Sequence, residues 1–472
     1  MSFIIYRRHF TGKDCIGEKR MNNGKKEIDM LNGPLLMKIL VFTLPLAASS
    51  VMQQLFNSVD VAVVGHFANK EALAAVGSNG PVINLLINLF MGISMGANVI
   101  ISNHIGQHDK RSIQDAISTV ALVALISGIV LMIVGQIAAR PILELIDTPE
   151  SVLNLAVVYL RIYFCGIPFF MIFNFASAIL RSMGDTRRPL YILLIAGVVN
   201  TIFNLIFVIC FHMSVAGVAI ATCIANIVSA TLIVWILLHE EEPYRLRLRE
   251  MQIKWTELKR MLQIGIPAGV QGMIFSFSNV LLQSAINGYG AAAIAGSAAS
   301  LNYESYCYFV VVAFDGAAIS FIGQNYGAGK FDRVKRIFWI CLGMSMVSCL
   351  FLNLMITWQH TACLSLFSTD PDVLLFGSER IFIALAFQSI ACLYEIPGAA
   401  LRGMGRSMLP TLITVFGTCL LRIVWIFGVA EHFKDFKVLM GAYPVSWTLT
   451  GIMMSTAFYL FVKKRLNTGN IY

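Results

Sequence analysis

Apolar residues fall along this chain in long blocks separated by short polar stretches. A water-facing helix would instead show an apolar stripe recurring every three to four positions. Windows of about 19 residues read for hydropathy mark twelve blocks, at 35–66, 72–103, 112–137, 151–180, 189–211, 214–238, 258–287, 291–325, 334–358, 373–401, 408–430 and 440–462. Each is long enough for the roughly 20 residues an α-helix needs to cross hydrocarbon, and the longest imply tilt, kinks or protruding ends. The pattern predicts an all-α integral membrane protein of twelve transmembrane helices.

Composition agrees with this pattern. Of 472 residues 57% are hydrophobic and 13% charged, and mean hydropathy is +0.74. A soluble domain carries about 25% charged residues, so a water-soluble fold is excluded. Ten cysteines lie almost entirely inside apolar runs, without a CxxC pair. They read as small core residues, with neither a disulfide framework nor a zinc site indicated.

The 35 lysines and arginines alternate in density along the chain. The amino-terminal segment holds eight, and every second loop holds more: Lys110 and Arg111; Arg181, Arg187 and Arg188; six from Arg245 to Arg260; four from Lys330 to Arg336; Arg402 and Arg406. With Lys463, Lys464 and Arg465 this side carries 28, against four (Lys70, Arg140, Lys434, Lys437) on the other. The positive-inside rule makes the rich side cytoplasmic and places both termini there. The net charge of +9 is then topology, and nucleic acid is not an expected partner.

The expected organisation is a disordered cytoplasmic tail (1–34), a six-helix lobe (35–238), a polar linker (239–257), a second six-helix lobe (258–463) and a short tail (464–472). The halves match at an offset of 221 or 222: Pro45 with Pro267, Asn57 with Asn279, Gly106 with Gly327. The block LRSMGDTRRP matches LRGMGRSMLP, so Arg181, Gly184 and Pro189 answer to Arg402, Gly405 and Pro410. Six spans per copy give both copies one orientation, related by an axis along the membrane normal. Two such bundles enclosing a cavity form a transporter architecture.

The candidate chemistry is ionic. GAGKF at 327–331 lacks the glycine spacing and Ser/Thr of a phosphate-binding loop, and no zinc or nucleophile motif occurs. An ion gradient is left as the energy source. Five acids fall within spans: Asp60, Glu304, Asp315, Glu379 and Glu395. Each costs at least about 2.5 kcal/mol at membrane depth unless partnered, wetted or protonated. Gln53, Asn57 and Asp60 share a face of the first helix, and Asn200 and Asn204 are one turn apart on the fifth. A carboxylate among amide oxygens suits a proton or a hard cation such as sodium; the plain alternative is polar bonding between helices.

Glu304 and Asp315 are eleven residues apart, on one face of the eighth helix. Tyr303, Tyr306 and Tyr308 surround Glu304, and Arg422 is an available counter-ion. Acid plus aromatic faces suits an organic-cation cavity; a structural carboxylate–arginine pair is the alternative. Glu395, seven residues from Arg402, is a candidate for the substrate cavity with an interfacial or gating role as the alternative, and Glu379 beside Arg380 reads as an interfacial pair. Positions 282 and 421, which answer to Asp60 and Asn200, are leucines. Prolines at 45, 81, 168, 267 and 397 interrupt spans, and Pro45 and Pro267 are candidate hinges.

The segments LPLAASSVMQQLFNSVDVAVVGHF and ALAAVG, the paired LRxMG blocks, GQNYGAGK and GVAIAT resemble the multidrug and toxic compound extrusion (MATE) family, over residues 35–465 and in the family's order. The resemblance implies two homologous six-helix bundles in the bacterial inner membrane. They would export organic cations or amphiphiles against proton or sodium entry, with no cofactor beyond that ion. It also implies that Asp60 is the first-helix aspartate, Asn200 the fifth-helix asparagine, Asn204 a replacement for an aspartate, and Thr222 part of the sixth-helix AT step. The seventh helix carries no acid and the tenth only Glu395, so a second-lobe cation site is not expected. A monomer among membrane lipid is the expected unit. A flippase for lipid-linked substrates would need a more basic cavity, and a membrane-embedded enzyme would need clustered catalytic side chains.

Overall fold

The computed structural model describes residues 27–67, 70–145 and 148–468. Among them are twelve helices long and apolar enough to span a membrane: α1 Leu35–Phe67, α2 Ala74–Gln107, α3 Lys110–Leu145, α4 Val152–Met183, α5 Arg187–Cys210, α6 Ser214–Leu238, α7 Trp255–Asn287, α8 Ala291–Gly327, α9 Phe331–Trp358, α10 Pro371–Gly403, α11 Met408–Phe433 and α12 Phe436–Lys464. Helices α1–α6 and α7–α12 form two bundles. α4 packs on α3 and α6 in the first, and α8 and α12 flank α10 in the second. The linker ends at Trp255, slightly ahead of the expected residue 258. An even number of spans returns the chain to one face, here called the terminal face.

The repeated LRxMG blocks form equivalent turns on that face. Gly184 and Gly405 adopt left-handed conformations, φ +99° and +78°, which glycine enters without a Cβ penalty. Pro189 and Pro410 follow in the first turns of α5 and α11, where a missing N–H is harmless. α1 and α7 run unbroken through Pro45 and Pro267.

The lobes meet along α2, α7 and α8. Lipid gives apolar side chains no incentive to associate, so close backbone packing and interhelical hydrogen bonds hold membrane helices together. Here a Cβ on Gly92 would stand 2.2 Å from the Gly269 nitrogen, and one on Gly106 2.0 Å from the Gln324 oxygen. Asn88 Nδ2 donates to Ser276 Oγ (3.0 Å), Asn98 Nδ2 to Ser320 Oγ (3.1 Å) and Gln324 Nε2 to the Ser182 carbonyl (2.7 Å). His104 Nε2 and Glu257 Oε2 lie 2.8 Å apart, both buried. Beyond Asn88 and Ser276, toward the opposite face, no hydrogen bond, ion pair or ring contact joins the lobes among the described residues. Gln53, Asn57, Phe277 and Val280 are exposed there.

Residues 1–26 lie outside the described residues, but 27–34 correct the expectation of a disordered tail. They form a strap laid across both lobes. Ile28 N donates to the Gly184 carbonyl (3.2 Å), while Asn325 Nδ2 donates to the carbonyl of the fully buried Met30 (3.1 Å). Lys330 Nζ and Arg333 Nη2 donate to the Leu31 and Asn32 carbonyls, each at 2.9 Å.

Two outcomes are expected. Gly92→Val overpacks a backbone contact, a change that typically costs about 1–3 kcal/mol. Spin labels at Lys110 and Arg336, both exposed on the terminal face, should show longer and broader separations in that variant; unchanged distances would refute the glycine contact. The second concerns Glu27, whose carboxyl is pushed up from 4.5 to about 7 by burial, then by the nearby Glu240. An acid with a raised pKa binds its proton better in the docked strap. Docking is therefore favoured below about pH 4.5 and weakens up to about 7. Protection of the strap amides, after correction for the intrinsic rise of amide exchange with pH, should fall across that interval in wild type and stay constant in Glu27→Gln.

Candidate functional site

Asp60 lies on α1 where α5 packs against it, and only 9% of its surface is exposed. Asn204 Nδ2 donates to Asp60 Oδ1 and also, at 3.2 Å, to Asn200 Oδ1. Thr222 Oγ1 on α6 reaches Asp60 Oδ2 at 3.5 Å, and Asn200 Nδ2 donates to Thr222 Oγ1 at 3.3 Å. Three helices thus close a ring of one carboxylate, two amides and a hydroxyl. No lysine, arginine or histidine forms an ion pair with Asp60 among the described residues. The buried Oδ1 of Asn204 has no hydrogen-bond donor. Immediately after Asn204 the helix widens into a π-turn, Ile206–Cys210, a distortion common at functional sites.

Gln53 and Asn57 do not join this ring. They share the side of α1 that carries Asp60, yet both are exposed, and the amides come from α5 instead. The fifth-helix asparagines and Thr222, singled out from the sequence with Asp60, do meet it; Gln53 and Asn57, grouped with it by spacing on α1, do not.

The second lobe differs more from expectation. Glu304 does not pair with Arg422. Arg380 holds it through two bonds, Nε to Oε1 at 2.6 Å and Nη2 to Oε2 at 2.9 Å, and Arg380 is 1% exposed. Glu379 is therefore not Arg380's partner: it points away, 3.3 Å from Lys437. Asp315 stands 3.7 Å from Arg402, whose Nη2 also donates to Gln271 Oε1 at 3.0 Å. Glu304 and Asp315 do share one face of α8, and that face packs on α10, which supplies both arginines. The two acids are thus committed to ion pairs rather than free for an organic cation. Glu395 accepts the Tyr308 hydroxyl at 2.6 Å. Tyr303 donates to the Cys363 carbonyl (2.9 Å) and Tyr306 packs edge-on against Phe309, so neither is a partner of Glu304.

Arg422 is 1% exposed and has only neutral partners. Its Nε donates to Ser446 Oγ (3.2 Å) and its Nη1 to Asn279 Oδ1 (3.1 Å), while Cζ lies 4.6 Å from the Tyr443 ring centroid and 5.4 Å from that of Phe275. A cavity of about 180 Å³ opens beside it, walled also by Arg380, Glu304, Gln388, Tyr394 and Trp447. Sequence reading missed the buried position of Arg380 and the His104–Glu257 contact. The sequence offers Arg380 only as the interfacial neighbour of Glu379, and nothing in the spacing ties it to an acid 76 positions away.

The MatE family pattern matches residues 45–206 and 267–427, once in each lobe. The chain belongs to the MatE family. A "Probable multidrug resistance protein YoeA" of Bacillus subtilis is 26% identical over 437 residues, 90% of this chain and 93% of that one. A protein named "FAD transporter" from Shewanella oneidensis is 25% identical, over 90% of this chain and 94% of its own. Among solved structures, a MATE in the bent conformation superposes with a TM-score of 0.87 at 19% identity, covering 93% of this chain and 98% of that one. These relatives are transporters, and this MatE protein is a multi-pass membrane protein of the same fold, not an enzyme.

Removing one partner of a buried pair strands the other's charge, at about 3–5 kcal/mol, whereas replacing both with apolar groups is often neutral. Glu304→Gln should therefore sharply lower the thermal unfolding temperature of the purified protein, and Glu304→Leu with Arg380→Met should restore most of it. A single variant as stable as wild type would contradict the pairing.

Proposed function

We propose that the protein is a proton- or sodium-coupled antiporter that exports small amphiphilic organic compounds by alternating access of its two lobes. Asp60, Asn200, Asn204 and Thr222 form the coupling site. The observation that carries this reading is a nearly buried carboxylate with no basic partner, ringed by amide and hydroxyl groups whose oxygens can ligand a hard cation. A buried carboxylate without a counter-charge gains from taking up either a proton or a metal cation.

The positive charge concentrated on the terminal face supports a cytoplasmic location for both termini in the bacterial inner membrane. The lobes then touch on the inside, and the face on which Gln53, Asn57 and Val280 are exposed is the outside. Cation or proton binding at Asp60 would bias this outward-open arrangement. Pro45, fifteen residues before Asp60 on α1 and without an amide proton of its own, gives that helix a place to bend. Pro267 holds the equivalent place in α7. Names among the relatives span drug resistance and FAD transport, so substrate class is not fixed by family. A single chain in lipid suffices for the cycle.

The test follows lobe separation. Terminal-face spin labels are measured in liposomes with sodium and pH varied independently. In wild type, removing the coupling ion should redistribute the distances; in Asp60→Asn they should ignore it. The ion that moves them at fixed concentration of the other is the coupling ion. In a pump-deficient bacterium, Asp60→Asn should reduce energised efflux of a drug panel including ethidium to the empty-vector level. Wild-type distances indifferent to both ions would sink the proposal.

A further inference from the structure

The internal repeat places Arg422 at the second lobe's version of the three-helix junction that holds Asp60, although Leu282, not Arg422, answers to Asp60 itself. Asp60 is assembled from α1, α5 and α6; Arg422 lies on α11 and is held by Asn279 of α7 and Ser446 of α12, the repeat counterparts of those helices. Asn279 is the counterpart of Asn57, and Arg422 follows directly on Leu421, the counterpart of Asn200. The same three-helix junction therefore carries a carboxylate in one lobe and a guanidinium in the other.

That guanidinium is not neutralised. Arg380, the other cation in the cavity wall, is matched by the two-bond contact with Glu304. Arg422 has a serine hydroxyl, an amide oxygen and two ring faces, and its Nη2 is buried with no acceptor. The acid next nearest the wall, Glu395, stands behind Tyr308 and accepts its hydroxyl. Arginine at membrane depth is costly unless matched, and a guanidinium offers a planar fork matched to carboxylate and phosphate. The space beside it is bounded by Phe275, Tyr394, Tyr443 and Trp447.

Building on the exporter reading, we infer that this cavity is the acid-recognising part of the substrate site: Arg422 binds the carboxylate or phosphate of an aromatic anion, whose ring lies among Phe275, Tyr394 and Trp447. At about 180 Å³ the cavity is smaller than the several hundred Å³ of pockets that enclose drug-sized molecules. It accommodates the acidic head and adjoining ring of a substrate whose remainder extends between the lobes. Asn279 and Ser446 keep the guanidinium oriented, while Gln283 Nε2 and Gln388 Nε2 are engaged by Asn287 Oδ1 and the Glu304 carbonyl, so the oxyanion contact falls to Arg422.

The experiment measures equilibrium binding by calorimetry on the purified full chain in nanodiscs, without any gradient. The probes are 2-naphthoate, 2-naphthyl phosphate, neutral 2-naphthol and cationic 2-naphthylmethylammonium. At least one oxyanion should bind at least about tenfold more tightly than 2-naphthol, as expected for a charge-assisted bidentate contact. Arg422→Gln should erase that preference, Arg422→Lys should retain part of it, and Gln283→Glu, which adds a competing carboxylate to the wall, should reverse it toward the cation. Gln283→Glu keeps the test decisive if Arg422 variants fold poorly. Equal binding of all four probes, or preference for the cation by wild type, would overturn the assignment. Binding is also measured on Asp60→Asn, where the oxyanion preference should persist. Failure here leaves ion-driven lobe movement untouched, and failure of that movement leaves this binding result standing.

Discussion

A charge placed where hydrocarbon surrounds the protein must be matched, and four buried charge arrangements of this chain show how differently that is done. Glu304 and Arg380 satisfy one another through two short bonds, and Asp315 faces Arg402. Asp60 and Arg422 instead have neutral neighbours. The matched pairs hold α8 against α10. A buried ion pair contributes little net stability over a hydrophobic contact, but breaking it is costly, so α8 and α10 move together. The unmatched charges do no such fixing. Their free energy falls when a ligand of opposite sign arrives, which is the property a transport cycle uses.

The duplication makes the contrast sharper. Both lobes set a polar group at the junction of their first, fifth and sixth helices, and both distort the backbone there. α5 has its π-turn directly after Asn204, and Arg422 sits on a single α-turn between two π-segments, Val415–Leu420 and Trp425–Ala430. Arg380 likewise precedes a π-turn, Ile381–Leu385. A π-turn inserts a residue without ending the helix and re-aims the side chains beside it. The two junctions thus share a helix arrangement but not a charged position: Leu282 answers to Asp60, and Arg422 follows Leu421, the counterpart of Asn200.

The spans were legible because hydrocarbon imposes length and composition on every residue of a helix. The run read at 35–66 is the helix Leu35–Phe67, and the linker differs by only a few residues. The Asp60 set was partly legible for a related reason, since spacings of three and four report a face. What spacing does not report is the neighbour. Gln53 and Asn57, grouped with Asp60 by spacing, stay outside the ring, whereas Asn204 and Thr222, also singled out from the sequence, bond to it from other helices. Glu304 was offered Arg422 and took Arg380, because the depth at which each arginine sits on its helix decides the pair and sequence distance does not. The π-turns were invisible: IFVIC and IFIAL are ordinary apolar pentapeptides. The strap at 27–34 was misread because its order comes from backbone carbonyls captured by Asn325, Lys330 and Arg333, about three hundred positions away.

The contact between the lobes has a different chemistry from the contacts within them. Inside the second lobe, charges meet charges; between the lobes, glycine backbones meet, and neutral amides and hydroxyls cross from Asn88, Asn98 and Gln324. Interhelical hydrogen bonds of this kind in membranes average about 0.6 kcal/mol and reach about 1.7 kcal/mol. Three of them amount to a few kcal/mol, comparable with the roughly 5.5 kcal/mol of differential binding that swings a two-state equilibrium from one side to the other. Ion pairs across this surface would have locked it, and a bare apolar surface would have left its register undefined. Among the described residues the ionisable contact between the helices that meet there, His104 with Glu257, lies at the terminal face, where water is nearest when the lobes part. On the proposed cycle, an interface of this strength selects one arrangement and still yields to differential binding at a single ion site.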